Sequence, residues 1–247
     1  MPVTVIIPSR YSSSRFEGKP LAAIKGKPMI QWVYERAARS HCVEKVFVAT
    51  DDARIETAVQ KFGGNAIMTS NACRSGTDRV AEAATRLGLG EKDVVINIQG
   101  DQPLVDPRCF DALVQPFLLD PEVKMTTLAF AIVDEREKTD PKDVKVTFDH
   151  NGDALYFSRA PIPWSRDGDV PYPMYKHLGV YAYTHEFLKC FQNLSPGRLE
   201  EIEKLEQLRP MEHGHRIRVV VTPYDSPEVD LPVDIQRIEE KMAGMGK

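Results

Sequence analysis

The residues best suited to chemistry lie in one stretch, IPSRYSSSRFEGKPL, at residues 7–21. Arg10, Arg15 and Lys19 place three cations among Ser9, Ser12, Ser13, Ser14 and Gly18. A polyphosphate needs fixed cations together with backbone N–H groups that it can approach closely. Serine and glycine keep the backbone accessible, and arginine offers a planar two-point contact. The stretch contains neither the GK[ST] of a P-loop nor a GxGxxG fingerprint. A solvated loop with incidental positive charge would have the same composition. A second stretch, VVINIQGDQP at 94–103, sets Asp101 beside Gly100 just past an apolar run. Nucleotide-bound magnesium takes one or two carboxylates plus phosphate oxygens. An aspartate at a strand end beside a basic loop suits that role, and an ordinary Asp-containing turn is the alternative.

The elements that would position these residues alternate in type. Val3–Pro8, Lys45–Thr50, Ala66–Met68 and Val94–Ile98 read as strands. The first and last of these are short apolar runs of the kind buried on both faces. Between and after them the spacing predicts helices over about Pro28–Ser40, Ala53–Phe62, Asp78–Leu87 and Pro107–Leu118. Gly63 and Gly64 stop the second helix. Such alternation argues for an α/β fold with a parallel, doubly wound sheet. Ligands of these sheets sit beyond the carboxyl ends of the strands, which brings the loops after Pro8, Thr50 and Ile98 together. The second half reads differently. Lys124–Val133, Val144–Asp149, Ala154–Phe157, His177–Tyr183 and Arg216–Thr222 are strand-like, with Asn151-Gly152 as a hairpin turn. Helices are expected at Glu186–Phe191, Leu199–Leu208 and Val233–Met242, and a proline-rich loop at Pro161–Pro173.

Composition narrows the function classes. A chain of 247 residues with 42% hydrophobic residues can bury a substantial core. The formal net charge of -4 argues against a nucleic-acid partner. No apolar run approaches a membrane span, and Val3–Pro8 lacks a charged leader and a cleavage pattern, so a cytoplasmic protein without a membrane partner is expected. Cys42, Cys73, Cys109 and Cys190 form no CxxC pair and read as free thiols. His213 and His215 flank a glycine, which marks a turn.

The runs PSRYSSSRFEGKPL, SGTDRVAE, NIQGDQP, ALYFSRAPIPW, KHLGVYAY, LEQLR and VDLPVDI occur in this order nearly end to end. Together they closely resemble the 3-deoxy-manno-octulosonate (Kdo) cytidylyltransferases. The resemblance implies a Rossmann-like, doubly wound mixed sheet of the nucleotide-diphospho-sugar transferase type. A single domain spans 1–247, with a nucleotide half over about 1–122 and a sugar-binding half, with a small β-rich dimerisation subdomain, over about 123–247. The implied reaction is CTP plus Kdo to CMP-Kdo plus pyrophosphate, in a homodimer that uses Mg²⁺ and serves lipopolysaccharide assembly. Arg10, Arg15, Lys19 and Asp101 become the catalytic residues. Pro8, Ser9, Arg10, Ser13, Lys19, Arg74, Ser75 and Gly76 become the nucleotide contacts. Asp101 and Asp230 become the magnesium ligands. Arg79, Gln99, Arg159, His177, Tyr181, Glu206 and Gln207 stand where that family binds its acid sugar. Each has an ordinary structural alternative: Arg79 a solvated helix position, Tyr181 plain core, Glu206 and Gln207 a polar helix face. Asp230 could equally precede a helix as its cap, and Asp234 serve the helix dipole.

Three positions depart from the family pattern. Gln102 follows the metal aspartate where an acid is usual, Leu231 replaces a threonine after Asp230, and Ser9 replaces an alanine. The same chemistry on 8-amino-Kdo or on sialic acid is the nearest alternative function. A sugar-1-phosphate acceptor would need a further cationic cluster, and a non-catalytic nucleotide-binding protein should have lost Lys19 or Asp101.

Overall fold

A computed structural model of the chain describes residues 1–12, 15–168 and 172–245. The first half runs β1 (Val3–Ser9), a short hairpin of β2 (Ala23–Ile24) and β3 (Lys27–Pro28), α1 (Met29–Ala37), β4 (Lys45–Thr50), α2 (Ala53–Lys61), β5 (Ala66–Met68), α3 (Gly76–Arg86), β6 (Val94–Asn97) and α4 (Arg108–Leu119). The second half runs β7 (Met125–Ala131), α5 (Glu135–Thr139), β8 (Lys145–Phe148), β9 (Ala154–Ser158), β10 (Tyr175–Thr184), α6 (His185–Asn193), α7 (Arg198–Glu203), α8 (Leu208–Glu212), β11 (Arg218–Thr222) and α9 (Asp234–Met245).

The main sheet has the order β11-β7-β10-β6-β1-β4-β5. β1 is buried at every position and pairs in parallel with β4 and β6, while β10 runs antiparallel between β6 and β7. The sheet is therefore mixed, and the two halves of the chain share it. The pleat of β1 sends Val3, Val5 and Ile7 to one face, where α1, α2 and α4 pack. Ile6 faces the other side, against α3 and α6. Helices on both faces make this the expected doubly wound α/β architecture. β8 and β9 form the hairpin expected at Asn151-Gly152, with Gly152 left-handed, and β8 joins the amino end of β10.

The expected helix over Leu199–Leu208 is broken in two. Lys204 caps α7 in the left-handed region at φ 55, and the chain turns before α8 begins. That break points Leu205 into the core and separates Glu206 and Gln207 from any helical polar face. α5 and the β2–β3 hairpin, both short and weakly patterned, were not expected from the sequence. β10 contains a bulge between His177 and Tyr181, with Gly179 at φ 66. In a flat strand positions four apart stand about 13 Å from each other. Here the His177 and Tyr181 rings lie 5.2 Å apart, because the bulge turns the strand locally.

Candidate active site

The basic loop is closed by Gly18. Its φ of 69 suits glycine, and an added Cβ would stand 3.1 Å from the Tyr11 ring. The Gly18 N–H donates to the Tyr11 carbonyl at 2.9 Å, and a short 3-10 turn, Lys19–Leu21, follows. Lys19 is thereby aimed at the end of β6. Its Nζ lies 2.5 Å from Asp101 Oδ2 and donates to the Val229 carbonyl at 3.0 Å. Arg15 reaches Asp230 Oδ1 at 3.2 Å. Arg10 Nη2 donates to the Cys73 carbonyl, which ties the loop to the segment before α3. Ser13 lies outside the described residues.

A cavity of about 300 Å³ opens between this loop, α3 and the β6 end, lined by Pro8, Ser9, Arg10, Lys19, Ser75, Gly76, Arg79, Gln99 and Asp101. Ser75 caps α3 by accepting the Asp78 N–H at 3.1 Å, so the positive end of that helix borders the cavity. At Gly76 an added Cβ would touch Pro8 and come 3.7 Å from the Gln99 amide, so the glycine leaves the cavity open. Ser9 Oγ is buried with no hydrogen-bond partner among the described residues. Arg74 is exposed and pairs with Asp78 at 3.0 Å.

Asp101 and Asp230 are joined through the backbone. The Val229 N–H donates to the Asp101 carbonyl at 2.9 Å. Asp230 also faces Lys142, at 3.7 Å. Asp234, not Asp230, receives the chain as it enters α9: its Oδ2 accepts the N–H groups of Asp230 at 2.9 Å and Leu231 at 2.8 Å. The Asp230 carboxylate is left for the cations. Asp101 Oδ1 is buried without a partner among the described residues. These features fit a hard divalent cation. Among the described residues no three acidic, His or Cys side chains converge to hold a metal alone, and two carboxylates suffice when phosphate oxygens complete the shell of magnesium.

A second cavity, of about 360 Å³, is lined by residues that include Asp143, Lys176, His177, Leu178, Glu228 and Asp230. Gln102 is fully buried behind it. Its Nε2 donates to the Leu178 carbonyl at 2.6 Å and to Glu228 Oε1 at 3.0 Å, and its Oε1 accepts from Ser226 Oγ at 3.3 Å. Crowding by protein and the negative charge of Asp101 push the Glu228 pKa up to about 7, although the residue keeps wide contact with solvent. Glu228 was not among the expected site residues. The signal was the acid-apolar-acid pattern Glu228-Val229-Asp230, since extended residues two apart face the same side and Val229 is fully buried.

Of the seven residues expected to hold an acid sugar, Arg79, Gln99 and His177 line these two cavities, and Arg159, Tyr181, Glu206 and Gln207 do not. Gln99 and Arg79 border the first cavity. The Arg79 side chain is wholly buried, with Nη2 2.8 Å from Asp51 Oδ2 and Nη1 on Thr69 Oγ1. His177 borders the second cavity. Packing against Phe157 and Tyr181 removes water from most of its ring and pushes its pKa down to about 3, while one edge keeps solvent contact. Thr127 donates its only hydroxyl proton to the Val180 carbonyl, so His177 Nε2, 2.9 Å away, is the donor to Thr127. Its Nδ1 is then the acceptor. Burial also raises the Tyr181 phenol well above its ordinary value. Glu206 accepts from Thr77 Oγ1 at 2.5 Å, which joins α3 to the turn after α7. Gln207 is buried, with Nε2 unpartnered among the described residues. Arg159 spends its guanidinium on main-chain carbonyls, Glu203 at 2.7 Å and Pro141 at 2.8 Å.

Residues 4–217 match the family model described as Cytidylyltransferase. The chain is 65% identical to the 3-deoxy-manno-octulosonate cytidylyltransferase of Desulfatibacillum aliphaticivorans, over 97% of this chain and 98% of the relative. It is 56% identical to the 8-amino-3,8-dideoxy-manno-octulosonate cytidylyltransferase of Shewanella piezotolerans, over 98% and 99%. A solved structure of CMP:2-keto-3-deoxy-manno-octonic acid synthetase complexed with CTP aligns at TM-score 0.93 and 44% identity, covering 99% of this chain and all of that one. A 4-diphosphocytidyl-2C-methyl-D-erythritol synthase, 12% identical with TM-score 0.66, shares the fold.

Proposed function

The chain belongs to the 3-deoxy-manno-octulosonate cytidylyltransferase family, and from that premise we propose that it transfers CMP from CTP to the anomeric hydroxyl of Kdo. The anomeric oxygen forms a bond to the α-phosphorus, the bond to the bridging oxygen breaks, and pyrophosphate leaves. The product is the activated sugar for lipopolysaccharide assembly.

The observation that carries this reading is the double pairing of Lys19 with Asp101 and Arg15 with Asp230. Each cation belongs to the phosphate-binding loop and each carboxylate to the opposite wall. A triphosphate entering with its divalent cation exchanges these partners. Lys19 and Arg15 would turn to phosphate oxygens, and Asp101 and Asp230 would then be free to hold Mg²⁺. Bound by Asp101 and Asp230, Mg²⁺ would supply positive charge to the phosphoryl oxygens and lower the pKa of the sugar hydroxyl. Positioning and charge stabilisation of this kind account for most catalysis of phosphoryl transfer.

Ser9, whose buried hydroxyl has no partner among the described residues, and the amino end of α3 at Ser75 and Gly76 form the nucleotide wall. Arg10 and Arg74 close its rim. Gln99, His177, Tyr181, Glu206 and Gln207 orient the sugar, and Arg159 braces the turn that carries Glu206. Arg79 is a positioning residue, since its charge is spent inside the protein. A homodimer through the second half is part of the proposal. Leu155, Trp164 and Ile202, at 60%, 81% and 67% exposure, are large apolar side chains left open there. No helix among the described residues is long and apolar enough to cross a membrane, and we place the reaction in the cytoplasm.

The test is pyrophosphate release with CTP and Mg²⁺ on Kdo, N-acetylneuraminate and a sugar-1-phosphate. Release with Kdo and not with the others is expected. Release with a sugar-1-phosphate alone overturns the acceptor assignment.

A further inference from the structure

Glu228 is a carboxylate that the reaction as described does not use. The second cavity is lined by seven carboxylates and five cations. Each of those cations already faces an acid: Arg136 pairs with Asp134, Lys142 with Asp230, Lys176 with Glu137 and Asp225, Arg237 with Asp234, and Lys241 with Asp225. His177 is neutral and offsets nothing. Glu228 has no ion-pair partner among the described residues, and it is exposed on the cavity wall.

Its orientation is built in. Both N–H groups of the buried Gln102 amide are committed, one to Leu178 and one to Glu228. The amide therefore holds the Glu228 carboxylate without neutralising it. An acid at position 102, the usual residue in the family pattern, would repel Glu228 instead. The bulge at Gly179 makes room: a Cβ there would stand 3.6 Å from both Glu228 Oε1 and Gln102 Nε2. Gln102 and Glu228 thus act as one device, which moves a negative charge from behind the wall onto its open face. The same bulge brings His177 and Tyr181 together beside it.

We propose that Glu228 is a specificity residue that favours an acceptor acid sugar carrying an ammonium group over the all-hydroxyl acid. An ammonium is a compact cation with three donors, and a fixed carboxylate without a counter-ion is its complement. This rests on the cytidylyltransferase reading above and names which acceptor that site prefers.

The experiment compares kcat/KM for pyrophosphate release, with CTP and Mg²⁺, on 8-amino-3,8-dideoxy-manno-octulosonate and on Kdo, in the wild-type protein and in Glu228→Gln. The wild type is expected to favour the amino acceptor by about tenfold or more, the ordinary weight of a charge-assisted contact. Glu228→Gln is expected to erase that ratio. A wild-type ratio at or below one overturns the proposal, and so does a ratio that Glu228→Gln leaves unchanged. Equal slowing of both acceptors with a raised Mg²⁺ requirement would assign Glu228 to the metal site and overturn it too. Should circular dichroism show that the variant does not fold, the wild-type ratio decides alone. Release with neither acceptor overturns the cytidylyltransferase reading itself, a different failure.

Discussion

Arg79→Met separates a structural role from a sugar-binding one. Methionine fills much of the aliphatic space but has no charge. The Asp51 carboxylate, 2.8 Å away and 23% exposed, loses its counter-ion. Breaking a fully buried pair costs about 3–5 kcal/mol, and partial solvent at Asp51 puts this one near the lower end. The Thr69 hydroxyl, also buried, loses its donor, which adds about 1 kcal/mol. A loss of about 4 kcal/mol in a chain this long corresponds to a Tm lowered by roughly 8–16 °C. Thermal unfolding followed by circular dichroism measures it. Asp51→Asn should lose part of the same energy, and the double variant should cost less than the sum of the two. At a temperature where Arg79→Met stays folded, KM for the acid sugar should change by less than about threefold, since a group spent inside the protein adds little direct binding. A Tm within 2 °C of wild type together with a KM raised about tenfold, the weight of one lost charge-assisted contact, would refute the reasoning. It would mean that the guanidinium leaves Asp51 for the sugar carboxylate.

Lys19→Met should lower kcat for pyrophosphate release by about 10²–10³, the effect of removing one donor from a transition-state charge; a loss under about threefold in steady-state assays would contradict the phosphate role. For His177, the folded pKa of about 3 lies below the unfolded value of about 6.5. Its contribution to stability is therefore complete above about pH 6.5 and is lost as the pH falls toward 3, by up to about 1.4 kcal/mol per pH unit. Urea unfolding between pH 4 and 7 should show that slope in the wild type and a flatter one in His177→Gln; equal slopes would count against it. Lys204→Gly should raise unfolding stability by about 0.5–1 kcal/mol, since φ 55 strains a side-chain residue; a less stable variant would show that the lysine side chain contributes more than the strain costs.

The meeting of the basic loop with Asp101 was legible because both sit at strand ends, which topology alone gathers at one edge of the sheet. Strand order sufficed to bring Lys19 and Asp101 together. Arg79 was harder: an arginine on a helix has the same pattern whether its charge meets solvent, substrate or Asp51, and only packing distinguishes them. The Leu199–Leu208 helix failed for a related reason. Its residues have good helix propensity, and the break depends on Lys204 entering the left-handed region, where a lysine gives no signal that a glycine would. Leu205 burial and the Glu206–Thr77 bond supply the compensating contacts. At the start of α9 it is Asp234 that folds back onto the preceding turn, accepting the N–H groups of Asp230 and Leu231, with Asp230 left for Arg15. The two aspartates are four residues apart, and spacing does not say which carboxylate folds back. Glu228 depends on Gln102 and on a bulge three strand residues long, a partnership across 126 positions that no local pattern carries.

The central claim is that CMP itself is transferred to the sugar's anomeric oxygen. Phosphorus-31 NMR of a turnover mixture of CTP, Mg²⁺, Kdo and the protein tests it most directly. The account predicts that the three CTP resonances give way to pyrophosphate and one new phosphodiester signal, and that neither appears without Kdo. Orthophosphate with CDP, or pyrophosphate with free CMP in the absence of any acceptor, would contradict it.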